Sequence, residues 1–183
     1  MSANPPSRKS SKPIVLKVLT AGEGGVGKTT LLHRYIEGKF IEGMKMTIGV
    51  EFFLKKFQVQ EKKIALQIWD FGGQDRFRFF LQSYARGADG ALLLCDLTRP
   101  LSLSRLGEWV DICRSENKQL PILFLGAKLD LEEDISVDDA YLREKQEELD
   151  LFDFMKISSK TGHNVENAFE TLTRRMLKEK KII

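Results

Sequence analysis

The segment "GEGGVGKT", from Gly22 to Thr29, constrains the fold and chemistry of this chain more than any other feature. It satisfies the spacing G-x-x-x-x-G-K-[ST] and lies between a strand-like run, "IVLKVLTA", and a segment with helical spacing, "TTLLHRYIEGKF". Glycines let the backbone wrap around phosphate oxygens, and the following helix adds its positive N-terminal end. The segment therefore predicts a phosphate-binding loop, in which Lys28 supplies charge to the outer phosphates and the Thr29 hydroxyl can ligate Mg²⁺.

Strand-like and helical segments alternate along the rest of the chain. The runs "IGVEFFLKKFQVQ" and "KKIALQIWDF" are joined by a short polar link, which predicts an antiparallel hairpin. "GALLLCDL" and "LPILFLGA" are typical of strands covered on both faces, and "DFMKISS" supplies a last short strand. Helices are expected after the phosphate loop, within the hydrophobic segment that follows residue 76, and at 103–116, 137–149 and 165–181. The order β-α-β-β-α-β-α-β-α-β-α predicts an α/β fold with a six-stranded, mostly parallel sheet, one antiparallel hairpin and helices on both faces.

Length and composition indicate one domain with a short tail. Residues 1–13 carry three of the five prolines and four serines, so we expect a flexible, mildly basic tail there and one globular domain over 14–183. With 29 basic and 26 acidic residues, the charge is too balanced to favour nucleic acid as a partner. Cys95 and Cys113 lie in or beside apolar runs without CxxC spacing, which predicts buried free thiols in a reducing compartment.

The sequence offers little to attach the chain to a membrane. No apolar run approaches the length of a membrane-spanning helix, and the N-terminal stretch lacks the apolar region of a secretory signal. The final segment, "KEKKII", contains no cysteine for prenylation, so we expect no lipid anchor. The basic last helix would make at most weak contact with a membrane surface. These features predict a cytoplasmic protein.

The segment "WDFGGQDRF" follows an apolar strand and would lie across from the phosphate loop, because ligands of such sheets bind at the carboxyl ends of the strands. Asp70 can hold Mg²⁺ through a water, and Gly73 lets the backbone approach a terminal phosphate. Gln74 has a donor and an acceptor with which to orient an attacking water. Thr47 follows a polar, glycine-containing segment and can close over the γ-phosphate and Mg²⁺. A protein kinase is excluded, because no H-R-D motif precedes "DFG" and the chain is too short.

These motifs, in this order, resemble the small GTPases of the Ras superfamily over residues 14–180. "TIGVEF", and "WD" followed by "GGQDRF", are most similar to the Rab branch. "DFGGQ" departs from the Rab "DTAGQ" and is similar to the "GGQ" of Arf-like proteins and heterotrimeric α subunits. The resemblance implies a P-loop NTPase G domain that acts as a GTP-binding switch, with GTP or GDP and Mg²⁺ as ligands.

The resemblance also implies a role for each matching residue. Thr29 and Thr47 would ligate Mg²⁺ and Asp70 would hold it indirectly, while Gln74 would be the catalytic residue that positions the water. "ISSKTG" is similar to the family's base-binding segment, in which Ser159 would offer its N–H to guanine O6. The predicted nucleotide-binding set is Gly22, Gly24, Gly25, Val26, Gly27, Lys28, Thr29, Thr30, Phe40, Thr47, Gly73, Lys128, Asp130, Ser158, Ser159 and Lys160.

The segment "GAKLD", residues 126–130, decides which base is recognised. Guanine presents N1–H and N2–H₂ as adjacent donors that one carboxylate accepts, so Asp130 would carry most of the base discrimination. Lys128 would lay its stem over the ring. In the family an Asn stands where this chain has Ala127, and its amide reaches guanine N7 and ties this loop to the phosphate loop. Its loss should cost roughly 1–3 kcal/mol, or about 5- to 150-fold in affinity. We expect a weakened guanine site, with loss of base selectivity as the alternative.

The expected reaction is slow hydrolysis of GTP to GDP. Heterotrimeric α subunits carry an activating Arg three residues before the loop Thr, and this chain has Met44 there. We therefore expect an activating protein to supply an arginine in trans, with Arg76 and Arg78 as the candidates for an internal substitute. The alternative is a nucleotide-bound scaffold with negligible hydrolysis, which Ala127 and the bulky Phe71 favour and Gln74 opposes.

An exchange factor and effectors complete the expected partners. The effectors should bind the two mobile segments, residues 41–53 and 71–84. Of the aromatic residues in the second segment, Phe77 and Phe80 are expected in the core beside Leu81, and Phe79 and Tyr84 at the surface.

Overall fold

A six-stranded sheet lies at the centre of the computed structural model, which describes residues 12–74 and 78–183. Its strands are β1 (Ile14–Ala21), β2 (Val50–Val59), β3 (Lys62–Phe71), β4 (Gly90–Asp96), β5 (Ile122–Ala127) and β6 (Asp153–Lys156). They are ordered β2-β3-β1-β4-β5-β6, with β2 and β3 antiparallel and the other neighbours parallel. The predicted hairpin and mostly parallel sheet are confirmed.

The described residues include five α-helices, of which four connect strands and the last follows β6. They are α1 (Lys28–Glu37), α2 (Arg78–Ala85), α3 (Leu106–Cys113), α4 (Asp139–Glu148) and α5 (Val165–Glu179). The element order matches the prediction, but the helix expected over 103–116 is shorter. Leu103, the first residue of the predicted helix, belongs to a separate 3₁₀ turn, Pro100–Leu103. Beyond its end the Asn117 side chain accepts the Gln119 N–H at 3.0 Å, an Asx turn that leads the chain into β5.

The helices cover both faces of the sheet. Side chains alternate along β4, so that Leu92 and Leu94 pack with α1 and α5, whereas Leu93 and Cys95 pack with α2, α3 and α4. Both cysteines are free and buried as predicted, and burial raises the pKa of each thiol to about 12. Within residues 12–74 and 78–183, no helix is long and apolar enough to cross a membrane.

Candidate functional site

The phosphate loop joins β1 to α1 in the predicted place, and its backbone requires glycine. Gly22 has a φ of +137°, and a Cβ there would lie 2.4 Å from the carbonyl oxygen of Leu94 on the neighbouring strand. Gly25 and Gly27 also have positive φ values, which L side chains rarely adopt. The loop therefore lies directly on β4, and a side chain at residue 22 would displace it.

Lys28, the first residue of α1, is buried beneath this loop. Its ammonium group donates to the carbonyl oxygens of Gly22 and Glu23, at 2.7 and 2.9 Å. Burial lowers the pKa of Lys28 to about 8, although the nearby carboxylates of Asp70 and Glu23 act in the opposite direction. The side chain thus holds one cationic group at the centre of the loop.

Asp70, on β3, is a fully buried carboxylate surrounded by hydroxyl groups. Thr20 donates to Oδ1 at 2.7 Å and Thr29 donates to Oδ2 at 2.5 Å. The Thr47 hydroxyl oxygen lies 2.6 Å from that of Thr29 and 3.4 Å from Oδ2. In the described part of the chain no lysine or arginine forms an ion pair with Asp70. A buried carboxylate without an ion-pair partner, beside two hydroxyl oxygens at a cavity, suits a hard divalent cation such as Mg²⁺.

The residues after β3 meet the phosphate loop. A Cβ on Gly73 would lie 2.2 Å from the backbone nitrogen of Gly24, so only glycine fits at this contact. Gln74 follows directly and is partly exposed, outside the cavity described next. Phe71 is fully buried in the core on the α2 and α3 side, so its bulk does not enter the cavity. The predicted residues Arg76 and Phe77 lie outside the described part of the chain.

A cavity of about 380 Å³ connects the phosphate loop with the ends of β5 and β6. Residues 41–46, Ala127 and Leu131 contribute to its walls. The predicted site residues that line it are Gly24, Gly25, Val26, Gly27, Lys28, Thr29, Thr30, Phe40, Thr47, Gly73, Lys128, Asp130, Ser159 and Lys160. Of the others, Gly22, Asp70 and Ser158 lie behind these walls, where the last two are buried.

Asp130 lines the cavity just after β5, and a hydrogen bond orients its carboxylate. The Ser158 hydroxyl donates to its Oδ1 at 2.6 Å and itself accepts the Thr161 N–H at 3.1 Å. Ser158 is buried just after β6, and its partly buried hydrogen bond orients the carboxylate of Asp130. Both residues were predicted to bind the nucleotide, but only Asp130 lines the cavity, whereas Ser158 does not line it and hydrogen-bonds to Asp130.

Lys128 connects the β5 loop to the end of β4. Its ammonium group lies 2.6 Å from Oδ2 of Asp96, which is nearly buried. Burial raises the pKa of Asp96, but hydrogen bonds from Lys128 and Thr98 outweigh it and lower the pKa overall. Ala127 is buried beside them and makes no side-chain hydrogen bond. Lys128 was predicted to be a site residue, but Asp96 and its ion pair with Lys128 were not predicted.

Three contacts on the outer side of the phosphate loop were also missed by sequence reasoning. Arg99 donates from Nη2 to the Gly24 carbonyl at 2.6 Å. Glu23 accepts from Arg78 at 2.5 Å and from the Trp109 indole at 3.1 Å. The position of Arg99 just beyond β4, at the carboxyl end of a strand next to β1, is the signal that could have identified it.

The structure does not support Arg78 as an internal substitute for an activating arginine. Its guanidinium is paired with Glu23 and also with Glu108, and it lies 4.7 Å from the centre of the Trp109 ring. Arg78 does not line the cavity. Because two carboxylates already hold the charge, the side chain is committed to linking α2, α3 and the phosphate loop.

The two predicted partner segments expose large apolar side chains. The exposed residues are Ile41, Met46, Ile48 and Phe52 in the first segment and Phe79, Phe80 and Tyr84 in the second. Exposure of Phe79 and Tyr84 was predicted, but burial of Phe80 was wrong. Leu81 and Ala85 form the buried side of α2, and Phe80 instead packs on Phe79 with ring centres 3.8 Å apart.

Comparison with known proteins adds independent evidence. The sequence profile described as the Ras family matches residues 17–178. Ras-related protein Rab-4A of Homo sapiens is 40% identical over 164 residues, which cover 89% of this chain and 75% of that protein. Ras-related protein Rab-2B of Dictyostelium discoideum is 35% identical over 173 residues, covering 94% and 85%. Ras-related protein RABA4b of Arabidopsis thaliana is 38% identical over 159 residues, covering 86% and 70%.

Proposed function

This chain belongs to the Ras family of small GTPases, in its Rab branch, and from that premise we propose that its cavity binds GTP and hydrolyses it slowly. Small GTPases of this family bind GTP, GDP and Mg²⁺, so the chain is a small GTP-binding switch protein with a P-loop NTPase G domain. The base preference, the rate of hydrolysis and the residue roles are the proposal. Asp130 carries it, because a hydrogen-bonded carboxylate and a buried lysine line one cavity.

We propose that each end of the cavity reads a different part of the nucleotide. The loop N–H groups and Lys28 hold the phosphates, and Asp130 accepts the N1–H and N2–H₂ donors of guanine. Phe40 and the stems of Lys128 and Lys160 flank the base, and the Ser159 N–H faces its O6. The cavity lining supports this assignment, because all these residues reach the same space.

Hydrolysis in this proposal depends on positioning and charge. Mg²⁺, held by Thr29 and Thr47 with Asp70 behind them, would neutralise charge on the outer phosphates. Gln74 orients the attacking water, and the Gly73 backbone approaches the γ-phosphate. Thr47 lies in a loop segment, residues 41–47, that lines the cavity. Loss of the γ-phosphate would release Thr47 and this segment, and so would change the surface that binds partners.

Replacing Gln74 by Leu is expected to slow release of phosphate from bound GTP by about 10- to 100-fold, because the side chain can no longer orient water. A single-turnover assay measures this, with GDP affinity as the check that binding persists. Gln119→Leu removes an exposed glutamine far from the cavity and serves as the matched control. Equal rates in both variants would remove Gln74 from the reaction. No release by the native protein, even with activating proteins, would favour the scaffold alternative.

Restoring an amide at residue 127 is expected to tighten GDP binding by about 5- to 150-fold. Ala127 lines the cavity beside the base loop, so an Asn there can contact the base and the phosphate loop. Equilibrium titration of Ala127→Asn measures the gain, and Ala140→Asn, on the exposed side of α4, is the control. An unchanged affinity would mean that Ala127 does not weaken the site.

Ras-family GTPases act with activating proteins, exchange factors and effectors. For this chain we propose an activating protein that supplies an arginine in trans, and effectors that bind residues 41–53 and 71–84. The exposed apolar side chains of these segments support the second point. Weak membrane-surface contact at most, no nucleic-acid partner and a cytoplasmic location stay predictions.

A further inference from the structure

The connection between β4 and α3 brings a second cation onto the phosphate loop. Arg99 donates to the carbonyl oxygen of Gly24 at 2.6 Å. Both terminal nitrogens of its guanidinium also lie close to Gly25, at 3.7 and 3.9 Å from the point where a Cβ would stand. The group therefore covers the loop at these two residues from outside the cavity lining, whereas Lys28 lines the cavity.

Among the described residues, no side chain neutralises the charge of Arg99. Across residues 12–74 and 78–183, no carboxylate forms an ion pair with it, whereas the guanidinium of Arg78 is held by Glu23 and Glu108. Its contact with Gly24 uses one of five N–H donors. Burial chiefly lowers the pKa of Lys28, and the positive charge of Arg99 lowers it further. The two cations are therefore close enough to repel each other at the phosphate loop.

The backbone that carries Arg99 is held in a defined turn. Its N–H donates to the Asp96 carbonyl at 3.0 Å, and the Asp96 side chain accepts from both the N–H and the hydroxyl of Thr98. The Arg99 carbonyl accepts the Ser102 N–H at 2.9 Å, at the start of the 3₁₀ turn. Asp96 also pairs with Lys128, so one carboxylate organises both the base loop and this turn. A fixed backbone reduces the entropy lost when the arginine engages an anion.

We propose that Arg99 is a nucleotide-retaining residue, whose charge over Gly24 and Gly25 slows the loss of the bound phosphate chain. This inference rests on the proposed function, because the anion is the diphosphate of GDP or the triphosphate of GTP. Arg99 would thus strengthen binding at the phosphate end of the site, in a chain that has Ala127 in place of the base-binding Asn. Arg99 thus acts on binding, and Gln74 remains the residue assigned to the attacking water.

The test is the dissociation rate of a fluorescent GDP from the full chain, in the presence of Mg²⁺ and at two salt concentrations. Arg99→Ala should release GDP about tenfold faster than the native chain. Arg99→Gln should behave like Arg99→Ala, since it keeps a donor for Gly24 and loses the charge, whereas Arg99→Lys should stay within about threefold of native. The difference between native and Arg99→Ala should shrink at high salt, because an exposed charge is screened.

Arg143→Ala is the matched control, since it removes an exposed arginine from α4 that, unlike Arg99, donates no hydrogen bond to the phosphate loop. The inference is overturned if Arg99→Ala releases GDP within about twofold of this control, or if Arg99→Gln retains GDP as the native chain does. If either result is obtained and the native chain still binds GDP, only the inference about Arg99 fails, and the proposed function stands. A native chain that holds no guanine nucleotide would instead overturn the proposed function.

Discussion

Asp130→Asn is expected to lower the affinity for GTP and GDP by at least about 100-fold and to make XTP the preferred nucleotide. The carboxylate accepts two neighbouring donors of guanine, and an amide can accept only one of them. Xanthine has an oxygen in place of N2, so the new amide N–H₂ can donate to it while its carbonyl accepts N1–H. Ser158 can continue to donate to the side-chain oxygen, so the orientation should persist. Competition between GTP, XTP and ATP for the purified variant measures the change.

Asp134→Asn provides the matched control, because it makes the same change of charge at an exposed position in a second 3₁₀ turn, Glu132–Asp134. Its nucleotide preference should equal that of the native chain. If Asp130→Asn keeps a preference for GTP, this carboxylate does not read the base. If the native chain already binds ATP as tightly as GTP, the base end of the cavity is unselective, which is the alternative raised by Ala127.

Thr29→Val is expected to weaken GDP binding in the presence of Mg²⁺ by about 100-fold and to remove most of the effect of EDTA on GDP release. The substitution keeps the shape of the side chain and removes the hydroxyl that lies between Asp70 and Thr47, at 2.5 and 2.6 Å. The native chain should release GDP much faster once Mg²⁺ is chelated. In the variant the rate should be high with and without EDTA, because the cation has lost a direct ligand.

Thr20→Val tests whether this effect needs contact with the cation. Thr20 donates to the same carboxylate at 2.7 Å but lies outside the cavity lining. Its loss should lower the free energy of unfolding by about 1–3 kcal/mol, because a buried acceptor loses its donor. GDP release should keep its response to EDTA. If Thr20→Val abolishes that response as fully as Thr29→Val does, the hydroxyls act only by positioning Asp70.

The order of the elements and the phosphate loop could be predicted from local sequence. Buried strands are short apolar runs, helices repeat their apolar residues every three or four positions, and glycine occurs where the backbone needs a positive φ. These signals lie within about ten residues of one another, so no knowledge of the rest of the chain is required. The helix after β4 was predicted too long for the same reason, since its apolar spacing continues through the 3₁₀ turn at Pro100–Leu103.

Contacts between distant segments were decided only by the tertiary structure. Arg99 and Gly24 are 75 positions apart, and Trp109 and Glu23 are 86 apart. They meet because parallel strands bring their carboxyl ends to one edge of the sheet, and a charge pattern read along the chain does not indicate which loop will lie opposite which. The exposed Phe80 illustrates the same limit, because α2 is covered only along Leu81 and Ala85. Local spacing therefore determined the fold and the phosphate loop, while the strand order determined which side chains surround that loop.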